Sequence, residues 1–410
     1  MNVGFKLQFA YICVMETLRK KYIRLLNATD ITFKRYLYAE IDWSSRLIIL
    51  KGQRGVGKTT LILQYIKENL TSINEAIYIT LDDMYFAKNS LSTFVEEFTQ
   101  LGGKYLFIDE VHRYKNWSVE LKNIYDFYPE LKIVATGSSA LEINKAKADL
   151  SRRASVYHLH ELSLREYQNL MNGTKMPPFL LTDVIEKHEQ LSMEINQKIK
   201  PVKVFREYIE QGAYPFVREK DALFFSKLKD VVNIIIENDL PAVERISYET
   251  TYKLKKLLMI ITDSVPFTIN VSELSRKLST SRDMLLRYIY LLSAAGLINT
   301  LSRDGKSTSG LRKPDKIYLN NTTLMHSMNE NPNPGTLRET FFLNQLSAQH
   351  QVTYPKKGDF LIDGKYLFEV GGKNKTNTQI KDLENGYIAA DDIEYGFQNK
   401  IPLWLFGFLY

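Results

Sequence analysis

Apolar positions change rhythm as this 410-residue chain proceeds. Over residues 46–159, short apolar and β-branched runs alternate with helical stretches, and the runs fall at 47–50, 76–80, 105–108, 131–135 and 156–159. That alternation predicts a parallel sheet with crossover helices. The first, third and fourth runs are almost wholly apolar, as strands covered on both faces require. Upstream, residues 15–26 carry a helical pattern, and the first fourteen residues read as an extension with little structural role. Ser163 and Glu166 have capping-box spacing, so a helix is expected to start just after the fifth strand. From there to about Thr262 the pattern is helical, broken by Met176-Pro177-Pro178 and Gly212-Ala213-Tyr214-Pro215. Residues 266–320 read as a small helical unit followed by two strand-like pieces. The run Asn331-Pro332-Asn333-Pro334-Gly335 then reads as a linker. The remainder, 336–410, holds a helix and strands around 359–362 and 366–370.

The sharpest chemical signal sits between the first strand and the first crossover helix: Gly52-Gln53-Arg54-Gly55-Val56-Gly57-Lys58-Thr59-Thr60. Glycines at 52, 55 and 57 let backbone N–H groups curl around a phosphate without Cβ clashes. The helix that follows points its positive end at the same anion. Lys58 is placed to reach the β- and γ-phosphates and the Thr59 hydroxyl to ligate Mg²⁺. The segment is therefore read as a P-loop nucleoside triphosphatase. The third strand ends in Asp109-Glu110, which sets two acids at the carboxyl edge of the sheet, where ligands bind. Asp109 suits Mg²⁺ held through water, and Glu110 suits a water-polarising base. The fourth strand runs into Thr136-Gly137-Ser138-Ser139, where Thr136 or Ser138 is a candidate γ-phosphate sensor; helix capping is the other reading. Arg152 and Arg153 precede the fifth strand, with a γ-phosphate contact in cis or in a neighbouring subunit set against a surface ion pair. His112 reads as a packing residue, since Glu110 already fills the base role. His158 and His160 share strand spacing without the cysteine or acid that would complete a metal set.

Composition adds bounds. An apolar content of 44% and a charged content of 25% are ordinary for a globular chain of several domains. The single Cys13 leaves no internal disulfide framework and fits a reducing cytoplasm. No apolar run is long enough to span a bilayer, so no membrane partner is expected. A net charge of +7 permits nucleic acid without requiring it.

The order Gly-Gln-Arg-Gly-Val-Gly-Lys-Thr-Thr, Ile-Tyr-Ile-Thr-Leu-Asp-Asp, Phe-Ile-Asp-Glu-Val-His and Ala-Thr-Gly-Ser-Ser resembles the prokaryotic AAA-type ATPases that carry a C-terminal nuclease-like domain. Arg153, Leu162-Ser163-Leu164-Arg165-Glu166-Tyr167 and Gly212-Ala213-Tyr214-Pro215 extend the likeness, which covers the chain from about Ile31 to its end. The resemblance implies an α/β fold: a five-stranded parallel P-loop sheet with the sensor strand between the loop strand and the acidic strand. A helical lid, a winged helix and a small α/β nuclease-like domain follow. The expected boundaries are 1–45 for an N-terminal helical extension, 46–165 for the ATPase core and 166–262 for a helical lid or linker. The winged helix-turn-helix is expected at 263–330 and the restriction-endonuclease-like domain at 331–410.

Within the winged-helix candidate, residues 271–278 and 281–294 form two helices, with Leu285, Ile289 and Leu292 as the buried stripe of the second. The span from Pro266 to Asn320 holds nine Lys/Arg against four Asp/Glu. Arg282 and Arg287 lie on its second helix, and Arg303, Lys306, Arg312 and Lys313 on a polar tip suited to phosphate. Packing or protein contact is the competing use. The C-terminal piece resembles a restriction-endonuclease core, which implies Mg²⁺ between Asp359 and Glu369 and a lysine two residues after the glutamate. Position 371 is Gly, so the nuclease fold is expected without cleavage, unless Lys373 or Lys375 swings in. The functional expectation is a cytoplasmic Mg²⁺-dependent ATPase acting on or near DNA. The alternatives are a slow, nucleotide-gated protein-interaction module and an ATP-dependent nuclease. Its partners are ATP, DNA through the winged helix, and a protein partner or second copy of the chain.

Overall fold

The computed structural model describes residues 3–70, 72, 74–137, 150, 152–244, 246–263, 267–268, 270–303, 313–376 and 385–410. Ser138, Ser139, Lys306 and Arg312 lie outside the described residues. The chain divides into two compact units, Met1–Leu159 and His160–Tyr410. The first opens with helix α1, Val3–Ala28. The helical pattern thus begins twelve residues earlier than the expected start at Met15. Strands β1 Leu47–Lys51, β2 Ala76–Thr80, β3 Tyr105–Asp109, β4 Lys132–Gly137 and β5 Ser155–His158 make an all-parallel sheet of order β2-β3-β4-β1-β5. Helices α2 Lys58–Asn69, α3 Leu91–Gln100 and α4 Trp117–Phe127 supply the crossovers. Strand β4, which leads into the sensor candidates, lies between β1 and β3, as the resemblance implies. Strands β1 and β4 are almost wholly buried, because helices cover both faces of a crossover sheet. Strand β5 starts and ends one residue earlier than expected, pairing Ser155 with Ile48 and His158 with Lys51.

The second unit begins at α5, Leu164–Asn172, whose N-terminus is closed by the expected capping box: Ser163 Oγ accepts from Glu166 N, and Glu166 Oε2 from Ser163 N. Helices α6 Leu181–Asn196, α7 Pro201–Gln211 and α8 Phe224–Ile234 follow, then α9 Tyr248–Asp263. A helix–turn–helix comes next, α10 Val271–Lys277 and α11 Arg282–Ala294, capped by Asn270 and Ser281. A small antiparallel sheet of order β6-β8-β7 completes it: β6 Phe267–Thr268, β7 Ile298–Leu301 and β8 Lys316–Leu319.

The run 331–335 is a helix start and not a linker. Asn333 Oδ1 accepts from the backbone of Gly335 and Thr336, and Pro334 is the first residue of α12, Pro334–Ser347. A second five-stranded sheet then forms from β9 Val352–Thr353, β10 Phe360–Ile362, β11 Tyr366–Gly371, β12 Gly386–Ala390 and β13 Lys400–Pro402, in the order β13-β12-β11-β10-β9. Its apolar face shares one core with helices α5 to α7. Leu164, Val184, Phe205 and Tyr208 pack in the same cluster as Phe341, Phe368, Trp404 and Phe406. Because that core is continuous, the helices after 164 and the C-terminal sheet bury each other's apolar faces.

Candidate nucleotide site

Strand β1 delivers the chain into the glycine-rich loop at the carboxyl edge of the first sheet. Gly55 and Gly57 hold φ of 87° and 96°, a left-handed backbone that side-chain-bearing residues avoid. At Gly52 the constraint is contact: a Cβ there would stand 2.4 Å from the Leu159 carbonyl oxygen. Lys58 opens α2 and is buried, its Nζ donating to the carbonyls of Gly52 at 3.0 Å and Gln53 at 2.9 Å. The ammonium is thus folded back onto the loop whose curvature fits a phosphate. Val56 is wholly buried and its carbonyl accepts from the Arg35 guanidinium, which pins the loop from upstream. Arg54 is part-buried, and Thr60 lies exposed one residue beyond Thr59.

Asp109, 4% exposed, is the hub. Its Oδ2 accepts from Thr59 Oγ1 at 2.5 Å and from the Tyr78 hydroxyl at 2.6 Å. Its Oδ1 accepts from the Thr136 hydroxyl and from the backbone N–H of Glu110 at 3.1 Å. Three hydroxyl donors converge on one buried carboxylate, so the charge is satisfied before any cation arrives. Burial and the Asp109 carboxylate push the Tyr78 phenol far above its ordinary value, so it remains a donor. Glu110 takes a left-handed backbone, φ 54°, which turns the chain out of β3. Its Oε2 stands 3.4 Å from His112 Nε2. Burial, with Arg113, Lys58 and Arg54 nearby, lowers the His112 imidazole to about 3, so it is neutral at physiological pH.

The structure brings together Lys58, Thr59, Asp109, Glu110 and Thr136, from three separate stretches of sequence. Thr136 is the strand-end hydroxyl on Asp109; Ser138 lies outside the described residues. Arg153 is not brought in. Its guanidinium grips Asp126 of α4 in a two-pronged contact at 2.8 and 2.9 Å, and that pairing lowers the Asp126 carboxyl. It precedes β5 at the amino edge of a parallel sheet, roughly 16 Å along the strand direction from the level of the loop. Among the described residues, no three His, Cys, Asp or Glu side chains gather as a metal cage. Mg²⁺ commonly takes one or two carboxylates and completes its shell with phosphate and water, so Thr59 with Asp109 fits that ion when a polyphosphate is present. Sequence reasoning missed Tyr78 and Arg35. Tyr78 sits in an apolar run and reads as core; only the β2–β3 register, Thr80 opposite Asp109, puts its hydroxyl at the carboxylate.

Residues 44–168 match the family model of an AAA domain. The match spans the loop, both acids, strand β4 and the start of helix α5, and supports nucleotide binding by this segment. Residues 202–335 match the model of a domain of unknown function, DUF8612. Over 396 residues the chain is 27% identical to the Uncharacterized protein MJ1637 of Methanocaldococcus jannaschii, covering 87% of this chain and 83% of that one. Among solved structures, it is similar to AMPPCP-bound DnaA from Aquifex aeolicus, at 12% identity and a TM-score of 0.27, over 63% of this chain and 84% of that one. C. elegans PCH-2 matches at 15% identity and 0.26, over 70% and 67%. A chain from a structure of katanin self-assembly matches at 12% and 0.26, over 38% of this chain and 60% of the katanin chain. Similarity at these scores is too slight to bear on function. Among the described residues, no helix is long and apolar enough to cross a membrane.

Proposed function

We propose that the first unit binds Mg²⁺·ATP and hydrolyses it, and that this cycle acts on or near DNA through the helix–turn–helix and three-stranded sheet, read as a winged helix. The observation that carries the first half is the convergence of Thr59, Tyr78 and Thr136 on Asp109 beside a loop bearing a buried lysine. On nucleotide binding, Lys58 exchanges its two carbonyl partners for phosphate oxygens, a stronger charge-assisted pairing. Thr59 and Asp109 would hold Mg²⁺, which when bound supplies charge neutralisation on the phosphates. Glu110, turned out of the strand, orients and polarises the attacking water. Neutral His112 positions Glu110 without competing for a proton. Steady-state ATP hydrolysis by purified protein of known oligomeric state, with and without DNA, tests the reading. DNA-stimulated turnover is expected.

A second reading, a nucleotide-gated protein-interaction module, is favoured by one observation. Arg287 on α11 is tied to Glu244 at 2.6 Å, which withdraws a cation from the helix expected to face DNA. Replacing Arg303, Lys306, Arg312 and Lys313 together by Ala separates the two. DNA contact predicts that the log–log salt slope of binding falls by about 0.9 for each lost phosphate contact. An unchanged slope assigns this surface to protein.

A further inference from the structure

The loop between β12 and β13, residues 391–399, is fastened to its surroundings along its length. Asn196 Nδ2 of α6 donates to the Glu394 carbonyl at 3.0 Å, and Gly396 N donates to Ser192 Oγ at 3.4 Å. Gln398 is held twice, its N–H by Glu189 Oε1 at 3.1 Å and its carbonyl by His188 Nε2 at 3.0 Å. Trp404 Nε1 adds a bond to the Ile393 carbonyl at 3.0 Å. Asp392 and Gln398 take left-handed backbones, φ 59° and 55°, which turn the chain at both ends. Because a carbonyl faces His188 Nε2, that nitrogen carries the proton, and the buried Nδ1 is left without a hydrogen-bond partner. Gly396 packs directly on it: a Cβ at 396 would stand 1.9 Å from Nδ1. The imidazole therefore dictates glycine there, and the loop lies flat on α6. Holding a loop still costs conformational entropy, and a fixed surface loop presents its side chains ready for contact.

What this loop presents is aromatic. Between the anchored residues, Tyr395 and Phe397 are 50% and 67% exposed. Met193, next to the Ser192 that holds Gly396, is 56% exposed. Carboxylates stand around these side chains: Glu189 and Glu194 on α6 and Glu394 on the loop are all exposed. Cations at hand are engaged elsewhere, Lys187 with Asp183 at 2.7 Å, Arg206 with Asp392 at 2.9 Å and Lys400 on the Lys373 carbonyl at 3.0 Å. Lys198, just past the end of α6, is exposed as well. Three acids against one such lysine make the patch acidic, on a chain whose net charge is +7. Rings in an acidic setting attract guanidinium and ammonium groups, which sit over a ring face and pair with carboxylates. The same field repels nucleic acid and anionic membranes. Exposed aromatic side chains held on a rigid support are the usual anchors of protein interfaces.

We propose that the loop 391–399, braced on α6, is a docking surface for an Arg- or Lys-rich segment of a protein partner. Cations of that segment sit over the Tyr395 and Phe397 rings and pair with Glu189, Glu194 and Glu394. The surface stands apart from the nucleotide site and from the helix–turn–helix, and its use depends neither on ATP hydrolysis nor on DNA contact.

The test uses the full chain and two fluorescein-labelled peptides of equal length, one of alternating Arg and Gly and one of alternating Glu and Gly. Binding is read by fluorescence anisotropy over a range of salt. The Arg/Gly peptide should bind and the Glu/Gly peptide should not, although the net charge of the chain favours the reverse. Tyr395→Ser combined with Phe397→Ser should weaken Arg/Gly binding about tenfold, the size of two exposed cation–π contacts, with Tm unchanged. Glu189→Gln, Glu194→Gln and Glu394→Gln together should weaken it and flatten its salt dependence, since the screened charges are gone. Diffuse attraction to acidic surface would respond to the three glutamines and ignore the loss of the rings. Sedimentation of the chain alone forms a separate arm: self-association that the Tyr395→Ser, Phe397→Ser protein loses would assign the surface to a second copy. That result overturns the proposal, as does failure of the Arg/Gly peptide to bind, or binding that the ring variant retains in full.

Discussion

Both units carry a pair of acids on or beside sheet strands, and they treat them in opposite ways. In the first unit Asp109 and Glu110 are consecutive. The left-handed turn at Glu110 sends them apart, one into a nest of hydroxyl donors and the other toward His112. In the second unit Asp359 and Glu369 come from two strands and face each other, with a lysine on one oxygen and nothing on another. The first arrangement is stable without its cation, since Thr59, Tyr78 and Thr136 already satisfy Asp109. The second leaves one buried carboxylate oxygen without a donor, a cost the Lys375 ion pair offsets in part. A pre-satisfied carboxylate keeps its orientation whether or not a cation is present; in the second unit one carboxylate oxygen, Glu369 Oε1, lacks a hydrogen-bond donor.

The comparison breaks most severely at Lys58. Lys58→Ala removes the buried ammonium from the first site, and nucleotide affinity should fall about a hundredfold or more by calorimetry. Unchanged nucleotide affinity would mean that the loop does not hold the phosphates.

A finer test is Tyr78→Phe, which deletes one of three hydroxyl donors and keeps the packing. If pre-satisfaction of Asp109 orients it for Mg²⁺, the apparent Mg²⁺ requirement of hydrolysis should rise about tenfold with little change in Tm. A parallel drop in Tm and no Mg²⁺ effect would make Tyr78 structural.

The smallest effect concerns His112. Burial lowers its imidazole from 6.5 to about 3, so the unfolded chain takes up a proton that the folded chain refuses. The stability gained from keeping it neutral is fully present above pH 6.5 and is lost as pH falls toward 3. The Tm advantage of wild type over His112→Gln should therefore shrink between pH 7 and pH 5. An advantage that is constant with pH would contradict burial as the cause.

How far the sequence reaches follows from the same contrast. Lys58, Thr59, Asp109 and Glu110 were legible because each lies in a contiguous motif whose spacing is set by one turn. The five strands of the first sheet were legible to within about two residues, because crossover strands are apolar throughout. Tyr78 was not, since its role depends on the register of β2 against β3. The ion pair of Lys375 with Glu369 was named only as one of two alternatives, because it depends on the path of a segment after a strand. The run 331–335 misled for a different reason: Asn and Pro mark both linkers and helix starts, and the cap made by Asn333 Oδ1 decides between them. Helices α5 to α7 and the C-terminal sheet read as separate domains because amphipathic patterns show that a face is buried and do not say against what.

The central claim is that Glu110 activates water at a site that Lys58, Thr59 and Asp109 build. It is tested most directly by measuring ATP binding and single-turnover hydrolysis in parallel for wild type and Glu110→Gln. The account predicts unchanged binding and hydrolysis slowed by about 10²-fold or more, the size of a lost general base. Hydrolysis at the wild-type rate in Glu110→Gln, or no ATP binding by the wild-type protein, would contradict it.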